Sequence, residues 1–267
     1  MSWIHLAGYF LSLVIGFSLG LMGGGGSILT IPVLVYFFEI EPAMAATYSF
    51  FVVGLAAISG SINEYRMHNI DHKTAIFFGI PSVFILFIVR HWLINLIPPV
   101  IFQLGHYSVT KSLFFMILFS ALMLIAGFSM LKQNNYISSE EKKNVARLAI
   151  QGLITGAITG FIGIGGGFII VPSLVLFAGL PMKRAIGTSL TIITVNCIVG
   201  ILGNLDATES LNFSFLLAFA SLAIIGIIAG TWSTRYISDK KLKPFFGWII
   251  LSMSLVVFVR VFLEIEK

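Results

Sequence analysis

A glycine-rich break occurs twice in this chain. "GLMGGGGSILTIPVLVYF" begins at Gly20, and "GFIGIGGGFIIVPSLVLF" begins at Gly160, 140 residues later. At that offset Gly16, Gly20, Gly23, Gly25, Gly26, Pro32, Leu34, Val35 and Phe37 meet identical residues. Their counterparts are Gly156, Gly160, Gly163, Gly165, Gly166, Pro172, Leu174, Val175 and Phe177. One inserted residue later, Thr47 meets Thr188 and Asn63 meets Asn204. Shared hydrophobicity does not place Gly and Pro in register, so the chain is an internal repeat. Each copy must interrupt a helix at its glycine cluster, because contiguous glycines are poor helix formers.

The surroundings of the breaks define the class. Of 267 residues 58% are hydrophobic and 10% are charged, with a mean hydropathy of +1.01. That is the composition of an integral membrane protein, and long apolar runs favour helices over barrel strands. Ten apolar segments are expected, at about 3–20, 27–38, 43–62, 74–97, 110–131, 148–162, 168–179, 184–203, 212–234 and 244–263. Residues 1–131 form the first transmembrane repeat, 132–147 a charged cytoplasmic linker, and 148–267 the second repeat. A run of twelve residues is only about 18 Å long as a helix, too short for a core of about 30 Å. The short run after each glycine cluster therefore reads as a broken or re-entrant helix. The apolar N-terminus has no Lys or Arg before it and no small-residue cleavage site after it, so it reads as a mature helix. Cys197, the single cysteine, excludes an internal disulfide framework.

Charge orients the two copies. The linker carries Lys132, Lys142, Lys143 and Arg147, and the last loop carries Arg235, Lys240, Lys241 and Lys243. The positive-inside rule places both in the cytoplasm. Alternation then puts the Arg66–Lys73 loop and Lys183–Arg184 inside as well, and the Glu39/Glu41 turn outside. Twelve of the sixteen basic residues fall inside. Five segments per copy make the repeats inverted, with both termini extracytoplasmic. The expected fold is thus an all-α integral membrane protein of two inverted five-segment repeats. The pI near 9.4 reflects this topology and not nucleic-acid binding.

Inverted repeats with interrupted helices are the architecture of secondary transporters, whose substrates bind where the breaks meet. Helix N-termini present unbonded amides and the positive end of the dipole, which suits an oxyanion. The candidate substrate-binding residues are Gly24, Gly25, Gly26 and Ser27 in the first copy, with Gly165, Gly166, Gly167 and Phe168 in the second. Thr47, Ser49, Thr188 and Ser189 follow the short helices and can either offer hydroxyls to the same ligand or bond to their own backbone. Gly16/Gly20 and Gly156/Gly160 have the spacing of close helix packing. Asn63 and Asn204 lie near segment ends and read as loop caps. Thr191 and Asn196 lie mid-segment and could line a path, although Asn196 has no counterpart in the first copy.

Other polar residues have ordinary explanations. His68 and His72 share a hydrophilic loop with Asp71 and lack a third metal ligand, so no metal or cofactor is expected. Arg90 and His91 read as snorkelling to the outer interface. Trp3, Trp92, Trp232 and Trp248 sit near segment ends as interfacial anchors. No acid or base lies near a segment centre, which argues against a carboxylate-coupled proton symporter. An anion channel, a cation carrier and, least of all, a membrane enzyme are the alternatives.

The two glycine stretches, with "AIGTSL" at 185–190, resemble the signature repeats of the sulfite exporter TauE/SafE family, also described as TSUP. The resemblance covers nearly the whole chain. It implies a bacterial-type inner-membrane transporter of sulfite, sulfoacetate or related sulfonates, often an exporter, and not an enzyme. Its partners would be a small anionic substrate and the lipid bilayer. Substrate identity, coupling ion and oligomeric state do not follow. Repeat one departs from the pattern with "AMAATYSF", where Tyr48 replaces a small hydroxyl residue.

Overall fold

The apolar runs fold as helices whose lengths follow the breaks between them. A computed structural model describes residues 3–24, 26–93, 96–98, 100–104, 107–131, 145–162, 167–202 and 211–265. The first half contains α1 (Trp3–Met22), α2 (Ser27–Phe38), α3 (Pro42–Arg66), α4 (His72–Ile88) and α5 (Lys111–Leu131). The second contains α6 (Val145–Ile162), α7 (Gly167–Leu176), α8 (Met182–Leu202), α9 (Phe213–Ser233) and α10 (Asp239–Ile265). Helix α6 starts three residues before the expected boundary, because Val145–Arg147 continue its first turn. Five helical spans among the described residues are long and apolar enough to cross a membrane: His5–Met22, Met44–Arg66, His72–Leu93, Met182–Leu202 and Phe213–Tyr236. Helices α2 and α7, at twelve and ten residues, are about 18 and 15 Å long and cannot. Between α4 and α5 an antiparallel hairpin pairs β1 (Val100–Leu104) with β2 (Tyr107–Thr110). Its β-branched and aromatic residues suit strands.

Local geometry recurs at matched positions in the two halves. Pro32 and Pro172 each sit at the sixth residue of a short helix. Glu39 closes α2 with φ 54°, and Gly179 takes φ 66° after α7. The following amides reach back alike: Ile40 N–H to Leu34 O at 3.2 Å, and Leu180 N–H to Leu174 O at 3.1 Å. Asp71 caps α4 by accepting from Thr74 N–H at 2.9 Å, and Asn212 caps α9 by accepting from Phe215 N–H at 3.1 Å.

Packing follows the same pattern. Helix α1 lies on α9, and α6 lies on α4. Ser12 Oγ donates to Phe219 O at 2.6 Å, while Gly152 lies against Phe78 O. Gly16 abuts Ala223 O, and Gly156 abuts Ser82 O. Gly20 abuts Ile227 O, and Gly160 packs near Leu86 O and Val89. These small residues let backbones approach where a side chain would hold them apart, as expected from their spacing. Helices α3 and α8 pack on each other at the centre, and α5 pairs with α10. Ser254 Oγ donates to Ser120 O at 2.9 Å across that second pair.

The core is apolar, with Phe50, Phe78, Phe219 and Phe246 fully buried. The outside is apolar too. Ile76, Ile80 and Phe84 are exposed at successive turns of α4, and Leu217, Ile225, Ile228 and Trp232 along α9. Such stripes suit lipid rather than water. Trp92 and Trp248 are exposed as well, consistent with interfacial placement.

Candidate functional site

The first break begins where α1 meets α8. Gly23 has φ +69°, a conformation available to glycine at little cost. Space demands glycine as well, because a Cβ there would stand 2.7 Å from Ile186 Cα and collide with Ser189 Oγ. The Gly23 N–H closes the last turn of α1 on Leu19 O at 2.8 Å. The Ser189 hydroxyl donates to a shared position, 2.8 Å from Ile186 O and 3.3 Å from Gly23 O. It therefore ties the third helix of the second half to the break of the first.

The two breaks touch. Gly24 lies backbone to backbone against Gly167, the first residue of α7, and neither position has room for a Cβ. A Cβ on Gly167 would also stand 2.7 Å from Ile193 Cδ1, close to the midpoint of α8. The starts of the two short helices thus converge on the middle of a membrane-length helix.

The other candidates divide. Gly26 is buried, its absent Cβ replaced by α1 backbone at Leu19. Ser27 is fully buried, but its N–H and hydroxyl both donate to Gly24 O, at 3.1 and 2.6 Å. Both donors of Ser27 are thus engaged within the motif itself. Thr47 and Ser49 are buried in α3, and the Ser49 hydroxyl has no hydrogen-bond partner. Thr188 is buried, but its Oγ1 accepts from Asp71 N–H at 3.0 Å, at the α3–α4 loop. It braces that loop and stands away from the glycine contact. Gly25, Gly165 and Gly166 lie outside the described residues, as does Asn204, and so does the side chain of Phe168.

Tyr48 explains its own departure from the pattern. Its OH accepts from Asn212 N–H at 2.7 Å. Each cap residue, Asp71 and Asn212, thus donates its amide to a hydroxyl on the third helix of the other half. Thr188 does this in one direction and Tyr48 in the other. Asn63 is likewise an interhelical residue and not a loop cap, since its Nδ2 donates to Thr231 Oγ1 at 2.6 Å. Thr191 pairs with Ser61 at 2.9 Å.

A second set of polar atoms has no hydrogen-bond partner among the described residues. Thr30 Oγ1, Ser49 Oγ, Ser82 Oγ and both amide atoms of Asn196 are buried and unbonded. Unsatisfied polar atoms are rare in native interiors and mark places for water, an ion or a ligand. Asn196 is the strongest case. It lies two turns beyond Ser189 on the same face of α8, one turn beyond Ile193 and one before Gly200. Gly200 faces the Phe50 ring, and a Cβ there would stand 2.7 Å from its Cε1. The Arg90 guanidinium lies over that ring, 4.8 Å from its centroid. Arg90 therefore turns inward rather than snorkelling, from a π-helical turn at Val89–Leu93 that re-aims the end of α4. Sequence position alone gave Asn196 only as a mid-segment polar residue.

The family model described as sulfite exporter TauE/SafE matches residues 9–257. A protein of Xylella fastidiosa (strain Temecula1 / ATCC 700964) named "Probable membrane transporter protein" is 29% identical over 262 residues, covering 92% of both chains. One of Methanocaldococcus jannaschii with the same description is 27% identical over 265 residues, covering 92% of this chain and 93% of its own. A Bacillus subtilis relative, again so described, is 25% identical over 228 residues, covering 85% and 86%. No solved structure matches. These names describe membrane transporters and not enzymes. With a family match over nearly its entire length and helices built to cross a bilayer, this chain belongs to the sulfite exporter TauE/SafE family of membrane transporters.

Proposed function

We propose that the protein is a secondary transporter of small sulfur-containing anions, working by alternating access around the paired glycine breaks. Sulfite, sulfoacetate or another sulfonate is the substrate, and export is the direction. The observation that carries the reading is the backbone contact between Gly24 and Gly167 beside the middle of α8. Irregular backbone at membrane depth is tolerated where it is buried or lines a cavity. Two short helices starting from one point aim two N-termini at it. A sulfonate suits such a centre, because its charge is spread over several oxygens that can each accept from an amide.

In this reading Gly24, Gly25, Gly26, Gly165, Gly166, Gly167 and Phe168 supply backbone amides. Ser49 and Asn196 add the unbonded side chains, while Ser189 and Thr188 hold the helix that carries Asn196. Arg90 draws the anion along the face of α8 beyond Asn196. The matched contacts of α1 on α9 and α6 on α4 support two repeats related by symmetry, and the basic loops support their inversion. The protein then sits in a bacterial-type inner membrane with both termini extracytoplasmic. An inside-negative potential favours anion exit by about 2.3 kcal/mol per charge per 100 mV.

Thermal unfolding of the purified protein tests the site. Sulfite, thiosulfate, methanesulfonate and sulfoacetate are compared with acetate. At least one sulfur oxyanion is expected to raise Tm saturably, and Gly167→Val to abolish that shift while still inserting into membranes. If no sulfur oxyanion shifts Tm the substrate class is wrong, and an undiminished shift in Gly167→Val means that the site lies elsewhere.

A further inference from the structure

Where α3 and α9 end and α8 begins, near the α3–α4 loop, a carboxylate is sealed from solvent. Glu64 is 1% exposed. Its Oε2 accepts from Asn69 Nδ2 at 2.7 Å, but Oε1 is buried without a hydrogen-bond partner. Lys183 and Arg235 are the charges that act on it from α8 and from the turn after α9. Among the described residues, neither forms an ion pair with it. Lys183 Nζ donates to Arg235 O at 3.5 Å, and Arg235 Nε donates to Met67 Sδ at 3.0 Å. On its own side, Arg66, His68 and His72 are exposed, and the Asp71 carboxylate caps α4. Thr231 and Thr234 of the α9 end are uncharged. Among the described residues Glu64 thus has one hydrogen-bond donor and no ion pair, and it is almost wholly buried.

An ionised carboxylate buried in this way loses hydration that nothing replaces, a penalty that is large in proteins. A neutral carboxylic acid carries a proton on the unbonded oxygen and keeps the Asn69 bond at the other. The surroundings of Glu64 also lead directly to the glycine contact. A Cβ on Gly187 would stand 2.7 Å from Asn69 O and 3.1 Å from Glu64 Cβ, so α8 lies flat on this residue and its loop. The next residue, Thr188, accepts from Asp71 N–H at the end of the same loop. The next again, Ser189, donates towards Gly23 O. Three consecutive residues of α8 join the carboxyl and its loop to the first glycine break.

We infer that Glu64 is a proton-binding site that couples protonation to the movement of the glycine centre, an inference that rests on the transporter reading. The arrangement described is the protonated one. Loss of the proton leaves a charge that the packed α3–α4 loop cannot solvate. The loop then lifts from Gly187, loosening the Thr188 and Ser189 contacts that hold α8 against Gly23. The sequence argued against proton coupling because no acid lies near a segment centre. Glu64 lies in the last turn of α3, and its burial comes from the loop folding back over it.

Two measurements on the reconstituted full-length protein test this. Infrared spectroscopy across a pH titration is expected to show a protonated-carboxyl band at neutral pH that is absent from Glu64→Gln. If wild type and Glu64→Gln have the same carboxyl band at neutral pH, the site is not protonated and the proposal fails. That readout needs no substrate. In liposomes with an internal pH dye, a proton gradient is expected to drive methanesulfonate accumulation with wild type. Glu64→Gln should retain methanesulfonate exchange and lose the gradient-driven part at least tenfold. Unchanged gradient-driven accumulation in Glu64→Gln overturns the coupling. The infrared band with no anion movement in wild type would instead overturn the transporter reading and leave the proton site standing.

Discussion

Asn196 has a buried carboxamide with neither its donor nor its acceptor engaged. Leaving such a group unsatisfied costs about 1–3 kcal/mol, and a Leu of similar volume would remove that cost. Asn196→Leu is therefore expected to raise the Tm of the unliganded protein and to weaken or abolish sulfur-oxyanion binding, a trade of stability against function. A lowered Tm with undiminished binding would remove Asn196 from the site. Residue-scale roles were the least legible in the sequence. Thr188 and Ser189 are adjacent and chemically alike, yet they face different partners, Asp71 and Gly23. Helical rotation by about 100° per residue separates them, and nothing local says which neighbour each will meet. Tyr48 read as a break in symmetry because its ring is large. Its OH nonetheless serves the second cap as Thr188 serves the first, reaching Asn212 from one position further along α3.

At the scale of elements, spacing was informative and partners were not. Among the described residues the apolar runs and glycine interruptions located the helix ends to within about five residues, except that α4 gives way after Ile88 to the π-helical turn Val89–Leu93, where the expected segment ran on to 97. The Gly16/Gly20 and Gly156/Gly160 pairs correctly indicated close packing. That α1 meets α9 and α6 meets α4 is set by tertiary contacts far apart in sequence. The consequence is measurable at Gly156, which abuts the Ser82 carbonyl. Gly156→Leu must force α6 off α4, and overpacking of this kind costs about 1–3 kcal/mol or more. A marked fall in Tm is expected in Gly156→Leu, whereas Gly179→Ala, at an open position after α7, should cost only what its φ of +66° imposes. Equal, negligible shifts in both would contradict the packing.

Across the whole molecule, the duplication gives the site its form. One glycine break in a membrane helix would expose backbone with no compensating partner. Two breaks brought together by α3 and α8 bury each other at Gly24 and Gly167, and the starts of α2 and α7 share one centre. The sequence made the duplication legible through the register of glycine and proline. It could not make the contact legible, because that depends on how the two halves dock. A carrier built around such a centre must expose it to one side at a time, so flux should saturate and exchange one anion for another. Counterflow in proteoliposomes measures this most directly: vesicles loaded with unlabelled sulfite are diluted into labelled sulfite. Transient, saturable accumulation of label above equilibrium is predicted for wild type, and its loss for Gly167→Val. Label that only equilibrates, at a rate rising without saturation, would contradict alternating access and identify a channel.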